Sequence, residues 1–200
     1  MRLRSSDVLK NDDGSAVVEF VTVFFFFMLI VFLVLEVALA LFWWKTAEKA
    51  AFMGARAAVV STPAVNDLPV TNDLYSASVL YGTLCSNNST TCADFGTHIC
   101  DGGSGGVCDA AGFASVLATV QSLFGPVEAE NLTVEYKYVG LGFAGGPPVP
   151  LVTVTIHGVA FQTGFLPVLA RLLGSDTNPL ATMPDISGTL TGEDLNSAGG

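Results

Sequence analysis

Residues 12–44 read DDGSAVVEFVTVFFFFMLIVFLVLEVALALFWW. Between Ala16 and Trp44 the only polar side chains are Glu19, Thr22 and Glu36. A helix needs about 20 apolar residues to cross the hydrocarbon core of a bilayer. At 1.5 Å per residue, Phe20–Trp44 would span roughly 37 Å. One transmembrane helix over about residues 20–44 is therefore the first expectation, and no second run in the 200 residues approaches that length. The topology that follows is a short N-terminal segment, one span and a large C-terminal part.

The composition is 50% hydrophobic and 13% charged, with a formal net charge of -10. Beyond Arg56 the only basic residues are Lys137 and Arg171, against twelve acids. A basic footprint for nucleic acid is absent. An acidic C-terminal part is also repelled by anionic lipid head groups, although acidity serves solubility as well. Cys85, Cys92, Cys100 and Cys108 fall within one 24-residue window. An even number so closely placed points to two disulfides and an oxidising compartment. Three pairings are possible; the nearest-neighbour one, Cys85–Cys92 with Cys100–Cys108, would staple two small loops. Zinc is the rival use, but its usual C-x₂₋₄-C spacing does not occur. The cationic residues do not orient the span, because Arg2, Arg4 and Lys10 before it balance Lys45, Lys49 and Arg56 after it. The cysteines break the tie, placing the N-terminus in the cytoplasm and the C-terminal part outside.

Three processing fates compete. The chain could remain as an uncut anchor. Ala38-Leu39-Ala40 offers an A-x-A pattern to signal peptidase. The apolar run before it is longer than a signal sequence uses, and the new end would be Leu-Phe-Trp-Trp. The third fate is a cytoplasmic-side cut directly after Gly14.

Gly14 is followed by Ser15-Ala16-Val17-Val18-Glu19-Phe20, a glycine and then an apolar helix with Glu at its fifth position. This resembles the processing site of type IV prepilins. The wider pattern, Asp-Gly-Ser-Ala-Val-Val-Glu-Phe, is similar to the TadE-like pseudopilin family of Tad (Flp) pilus systems. The resemblance continues in Glu36 and in the segment from Ala47 to Ala58, AEKAAFMGARAA. Val152–Ile156 and Ile186–Glu193 look like the family's last strands. It is specific over residues 12–60 and loose elsewhere. The resemblance implies that a prepilin peptidase cuts between Gly14 and Ser15. It also implies that Glu19 meets the freed amine of a neighbouring subunit during assembly. A carboxylate in hydrocarbon costs about 2.5–3.5 kcal/mol on insertion scales, so such groups are paired or functional; the bland alternative is that Glu19 snorkels to the interface. The chain departs from the family where proline is common: here stands Phe24-Phe25-Phe26-Phe27. Ser15, rather than phenylalanine, at the first mature position favours a minor subunit over a major pilin.

Glu36 lies seventeen residues beyond Glu19, about 100° around the helix, so the two acids do not form one site. A partner-helix contact and a neutral interfacial acid are the readings for Glu36. Trp43 and Trp44 read as an interfacial belt. Past them, small residues recur every four positions, Ala47-Ala51-Ala55 and Ala50-Gly54-Ala58, followed by Arg56 in the Gly-Ala-Arg motif. Such stripes let helices approach closely, either in a filament or against the chain's own C-terminal part.

Downstream, the spacing predicts a short helix at Leu74–Tyr81, a stapled loop from Cys85 to Cys108 and a helix at Ala110–Phe124 ended by Gly125-Pro126. Alternation predicts strands at Leu132–Val139, Leu151–Phe161 and Asp185–Glu193, with a short helix at Phe165–Leu173 between the last two. No G-x-S-x-G, H-E-x-x-H or Walker sequence occurs. His98 and His157 stand apart, and Asp101-Gly-Gly-Ser-Gly-Gly reads as a flexible turn rather than as a calcium loop. No enzyme, cofactor or metal is expected.

The fold expected is α+β: a long N-terminal transmembrane helix extending into a small pilin-like head with an antiparallel sheet. Residues 1–14 would be the leader, 15–60 the helix, 61–195 the head and 196–200 a tail. The family implies, as partners, a prepilin peptidase, other pilins or pseudopilins, the inner-membrane assembly platform and the lipid bilayer, with no nucleic acid. The other functional class that fits is a permanently anchored extracytoplasmic ligand-binding protein.

Overall fold

The computed structural model describes residues 12–69, 71–104, 107–160 and 182–192, together with Gly164, Arg171, Gly174 and Leu195. Residues 1–11 of the leader expected at 1–14, most of the helix expected at 165–173 and the tail expected at 196–200 lie outside the described residues. The chain divides into two units, Met1–Phe42 with Gln162–Leu180 and Trp43–Phe161 with Ala181–Gly200. Helix α1, Asp12–Val60, contributes to both.

In the first unit, α1 is apolar on every side, which suits a membrane span or the interior of a large protein. Only 6% of its most apolar 18-residue window is buried, so it is a candidate membrane span rather than the core helix of this domain. Its backbone polar groups are satisfied within the helix, as hydrocarbon requires. The Thr22 hydroxyl also stays internal, donating to the Val18 carbonyl at 2.8 Å.

The second unit is built on a four-stranded antiparallel sheet in the order β1-β2-β3-β4. The strands are Thr97–Asp101, Leu132–Lys137, Leu151–Ile156 and Ile186–Thr191. Helix α2, Ala110–Leu123, begins on Asp109, whose side chain accepts from the Gly112 amide at 2.7 Å. The Leu-Thr-Val-Glu-Tyr-Lys and Leu-Val-Thr-Val-Thr-Ile alternations place every second residue on the buried face. Register aligns Cys100, Val134, Val154 and Gly188 in one buried row across all four strands. Thr133, Glu135, Thr153 and Thr155 lie on the opposite, partly exposed face.

The alanine-rich end of α1 packs on the buried face. Ala47, Ala50, Ala51, Ala55 and Ala58 are wholly buried. A Cβ placed on Gly188 would stand 2.7 Å from the Ala51 carbonyl and the Phe52 nitrogen. One placed on Gly54 would stand 2.6 Å from Val120 of α2 and 3.3 Å from Val154 of β3. Helix, second helix and sheet therefore meet where two side chains are missing. The small-residue stripe serves the chain's own domain. Tyr136, fully buried, closes the far end: its hydroxyl accepts from the Ala64 amide at 3.0 Å and donates to the Ala58 carbonyl at 3.5 Å. The phenol thus serves an orphan carbonyl in the last turn of α1.

A smaller cluster of Cys85, Cys92 and Ala144 packs with Leu74, Val79 and Tyr138. Here the sequence expectation fails. Leu74–Tyr81 is not a helix. Leu74 bridges Cys92, the Tyr75 amide donates to the Thr91 carbonyl, and the Ala93 amide donates to the Asp73 carbonyl. Residues whose backbone pairs across a disulfide loop cannot also close helical turns. The loop expected between Cys85 and Cys108 contains β1. The strand expected to reach Phe161 ends at Ile156, where the His157 amide turns to the Asn131 carbonyl and Gly158 takes a φ of 68°.

Two outcomes test this packing. Gly188→Leu should lower unfolding stability by about 1–3 kcal/mol or more, because its clash is with backbone. Thr189→Ala, on the exposed face, should stay within about 0.5 kcal/mol. Urea denaturation of the detergent-solubilised chain reads both. Burial raises the Tyr136 pKa above its ordinary 10.0, with the Ala64 amide pulling the other way. The unfolded state then loses this proton first as pH rises, so stability is unaffected below about pH 10 and falls above it. Tyr136→Phe should cost about 0.5–1.5 kcal/mol at neutral pH and flatten that alkaline decline.

Candidate assembly segment

Gly14 is the third residue of α1, and a Cβ added there would meet nothing within 4 Å. The first turn of a helix has unsatisfied amides, and glycine weakens it further. The Gly14–Ser15 bond lies within the first four described residues of α1. Ser15 and Glu19 are both exposed. Their four-residue spacing puts them on one helix face, within reach of each other. Phe20 is exposed and turned away from that face, its ring stacked on Phe24 with centroids 6.0 Å apart.

Glu36 has a different environment. It is 9% exposed, and a Cβ on Gly164 would lie 3.9 Å from its Oε2. Glu19 and Glu36 are about 26 Å apart along the axis, so the structure does not join them into one site.

Near the start of the second unit, Trp43 packs edge-on against Phe124 with centroids 5.5 Å apart. Trp44 donates its indole N–H to Glu48 Oε1 at 2.5 Å, while Lys45 meets Glu48 Oε2 at 2.8 Å. Both tryptophans, half-buried, pack against the domain core, and Trp44 also turns its indole N–H to Glu48 on the helix surface. Of the residues expected to pack, Ala47, Ala51, Gly54 and Ala55 are buried within the domain, whereas Arg56 is exposed. A guanidinium cannot share the close-packed face that the alanines form.

The cysteines pair as nearest neighbours, Cys85–Cys92 and Cys100–Cys108, with Cα separations of 5.2 and 5.0 Å. All four thiols are consumed, which decides for disulfides over zinc. Cys100 lies in the buried row of β1 and Cys108 bridges Val65, so the second bond ties the sheet edge to the segment after α1. Asp101 forms a turn: its Oδ1 accepts from the Gly103 amide at 3.1 Å and its carbonyl from the Ser104 amide at 3.3 Å. His98 and His157 are engaged separately, by the Phe95 carbonyl at 3.0 Å and the Thr133 hydroxyl at 3.1 Å. Among the described residues no three His, Cys, Asp or Glu gather as a metal site would require.

Sequence reasoning missed Gly188 and Tyr136. A glycine in the middle of an otherwise β-forming stretch is a signal of close backbone approach. The tyrosine carries no such signal, because its partners lie 72 and 78 positions away.

No curated protein and no solved structure matches the chain. One family model does, described as TadE-like protein, over residues 14–56. The matched segment starts at the glycine and ends at the arginine of Gly54-Ala55-Arg56. Val152–Ile156 and Ile186–Glu193, read as the family's last strands, fall outside it. From the exposed Gly14–Glu19 turn to the buried alanine face, α1 carries the stretch in which this chain is similar to TadE-like proteins.

Proposed function

We propose that the chain is a minor pseudopilin of a Tad/Flp-type pilus or a related secretion machine. The observation that carries this is the TadE-like match over residues 14–56. In this reading a prepilin peptidase removes residues 1–14, and the new amine at Ser15 starts the membrane helix. The chain crosses the bacterial inner membrane once, with its N-terminus in the cytoplasm. The disulfide-bonded domain lies outside, where its two bonds persist. Helix α1 is the element that engages other pilins or pseudopilins and the assembly platform. Its exposed apolar surface from Phe20 to Phe42 supports that use.

The exposed carboxylate of Glu19 is the group proposed to pair with a neighbour's amine. Cleavage creates that amine, so cutting and pairing are coupled. The Glu36 carboxylate is already covered within its own chain and is proposed to contribute to assembly by fixing local helix packing. The role is structural rather than catalytic. The buried alanine face belongs to the domain, leaving the Phe- and Leu-rich half of α1 for neighbouring helices.

Mass spectrometry of the membrane protein should give a mature N-terminus at Ser15 in cells with the prepilin peptidase and at Met1 in cells without it. A start at Met1 in both, or at Leu41, would replace this reading with an ordinary anchor or a secreted domain. Glu19→Gln should leave both disulfides and the N-terminal cut intact yet reduce surface pili or secretion at least tenfold. Normal piliation in that variant would remove Glu19 from assembly.

A further inference from the structure

The two disulfides differ in what surrounds them. Cys85 and Cys92 are 3% and 2% exposed, with Leu74, Val79 and Tyr138 packed against their cluster. Cys100 is wholly buried, in the row it shares with Val134. Cys108 is only partly buried, and Val107 before it is 54% exposed. Of the four half-cystines, Cys108 is the most open to solvent.

The Cys100–Cys108 bond also spans a gap. A cavity of about 160 Å³ is lined by Thr97, His98 and Ile99 of β1 and by Val65, Asp67 and Val107 opposite them. The opposite segments are bonded to each other. The Asn66 amide donates to the Val107 carbonyl at 3.3 Å, the Asp109 amide to the Ala64 carbonyl at 2.9 Å, and Asn66 Nδ2 to the Cys108 carbonyl at 3.0 Å. Among the described residues, no hydrogen bond joins either segment to β1. The ladder explains this. The Tyr138 amide donates to the Gly96 carbonyl and the Gly102 amide to the Leu132 carbonyl, so the even-numbered residues of β1 exchange bonds with β2. Thr97 and Ile99 therefore turn their amides and carbonyls away from β2.

The disulfide is thus the tie that holds residues 65–67 and 107–108 across the cavity from β1. The flanks have anchors of their own: the Ala64 amide on Tyr136, and Asp109 on the Gly112 amide at the start of α2. Between the two cysteines, four of the seven residues are glycine, free to spread over many conformations once closure is lost.

We propose that Cys100–Cys108 is a redox-labile strap: a dithiol reductant opens it while Cys85–Cys92 stays closed, and the opening frees residues 65–67 and 107–108 from β1 without unfolding the sheet. A thiolate of the reductant attacks Cys108 Sγ on its open side and forms a mixed disulfide. Cys100 Sγ leaves as a thiolate and takes up a proton. The reductant's second thiol then attacks the reductant's own sulfur in the mixed disulfide. Cys108 is released as a thiol, and the reductant ends as a disulfide. Access selects the bond, because the attacking thiolate needs a sulfur it can reach. In an oxidising compartment the strap stays closed until a reduced dithiol protein meets it. What it uncovers is the edge of β1, where Thr97 and Ile99 carry backbone groups that no strand pairs. The inference rests on the domain alone and does not depend on the pseudopilin reading.

The test adds dithiothreitol in rising amounts to the full chain in detergent, without denaturant. Freed thiols are trapped with iodoacetamide and located by peptide mass spectrometry. Cys100 and Cys108 should be alkylated about tenfold faster, or more, than Cys85 and Cys92. Hydrogen exchange on the partly reduced chain should show the Asn66 and Asp109 amides losing protection. The Tyr138 amide, bonded to Gly96, and the His157 amide, bonded to Asn131, should keep theirs. Reduction of Cys85–Cys92 first, or of both bonds at one rate, overturns the proposal. So does selective reduction that leaves Asn66 and Asp109 protected. Loss of protection at Tyr138 and His157 as well overturns it too, since that is global unfolding. The measurement uses the unaltered chain, so no variant's failure to fold can mask the answer. None of these outcomes bears on cleavage after Gly14, so failure here and failure of the pseudopilin reading are separable.

Discussion

The second unit depends on how closely a helix backbone can approach a sheet. Where Ala51 and Phe52 pass Gly188, the gap admits no methyl group. The same closeness recurs at Gly54, against Val120 and Val154. Each alanine on this face hides little apolar area, so transfer from water alone does not explain the cohesion. Backbone-level proximity compensates, because dispersion depends steeply on separation and many atom pairs come within range together. The sheet then adds the volume the helix lacks, through Leu132, Val134, Tyr136, Val152, Val154 and Ile156. Large side chains on one partner and small ones on the other is the arrangement that fills an interior without voids.

Helix α1 accordingly has two chemistries within one continuous element. Up to Phe42 it presents valine, phenylalanine and leucine in every direction. From Trp43 its composition changes to alanine with scattered charge. The first half is suited to an apolar solvent, where bulk costs nothing. The second is suited to a protein interior, where bulk would push the sheet away. Trp44, Lys45 and Glu48 mark the change with a hydrogen-bonded polar group on the helix surface.

Much of this was legible in the sequence. The long apolar helix followed from a run interrupted only by Glu19, Thr22 and Glu36, and β2 and β3 followed from strict alternation, because both signals are local. Helix α2 ended where Gly125-Pro126 required. Helix α1 continued past the tryptophans because alanine-rich residues favour helix and no proline stands before Pro63. The errors share one cause. Leu74–Tyr81 has helical spacing, but its backbone is paired with a segment sixteen or more residues away. Strand β1 was hidden because Thr-His-Ile-Cys-Asp is short, polar and set among glycines, and it exists through its ladder with β2. Which side of the alanine stripe would be covered was undecidable from spacing, since a filament and a sheet ask for the same small residues. In the candidate assembly segment, the Gly14–Glu19 pattern was readable as a motif. The burial of Glu36 was not, since it depends on chain more than a hundred residues downstream.

Chain order adds a consequence to the Gly188 contact. Synthesis delivers α1 first and β4 last among the four strands. The alanine face must therefore wait, uncovered, while more than a hundred residues follow it. A face of leucines in that position would be sticky throughout the delay, since transiently exposed apolar surface is what aggregates. Alanines are poor nuclei for such association, yet they close tightly once the last strand arrives with the one residue small enough to admit the helix backbone. The smallness that makes the finished contact close also keeps the unfinished chain quiet.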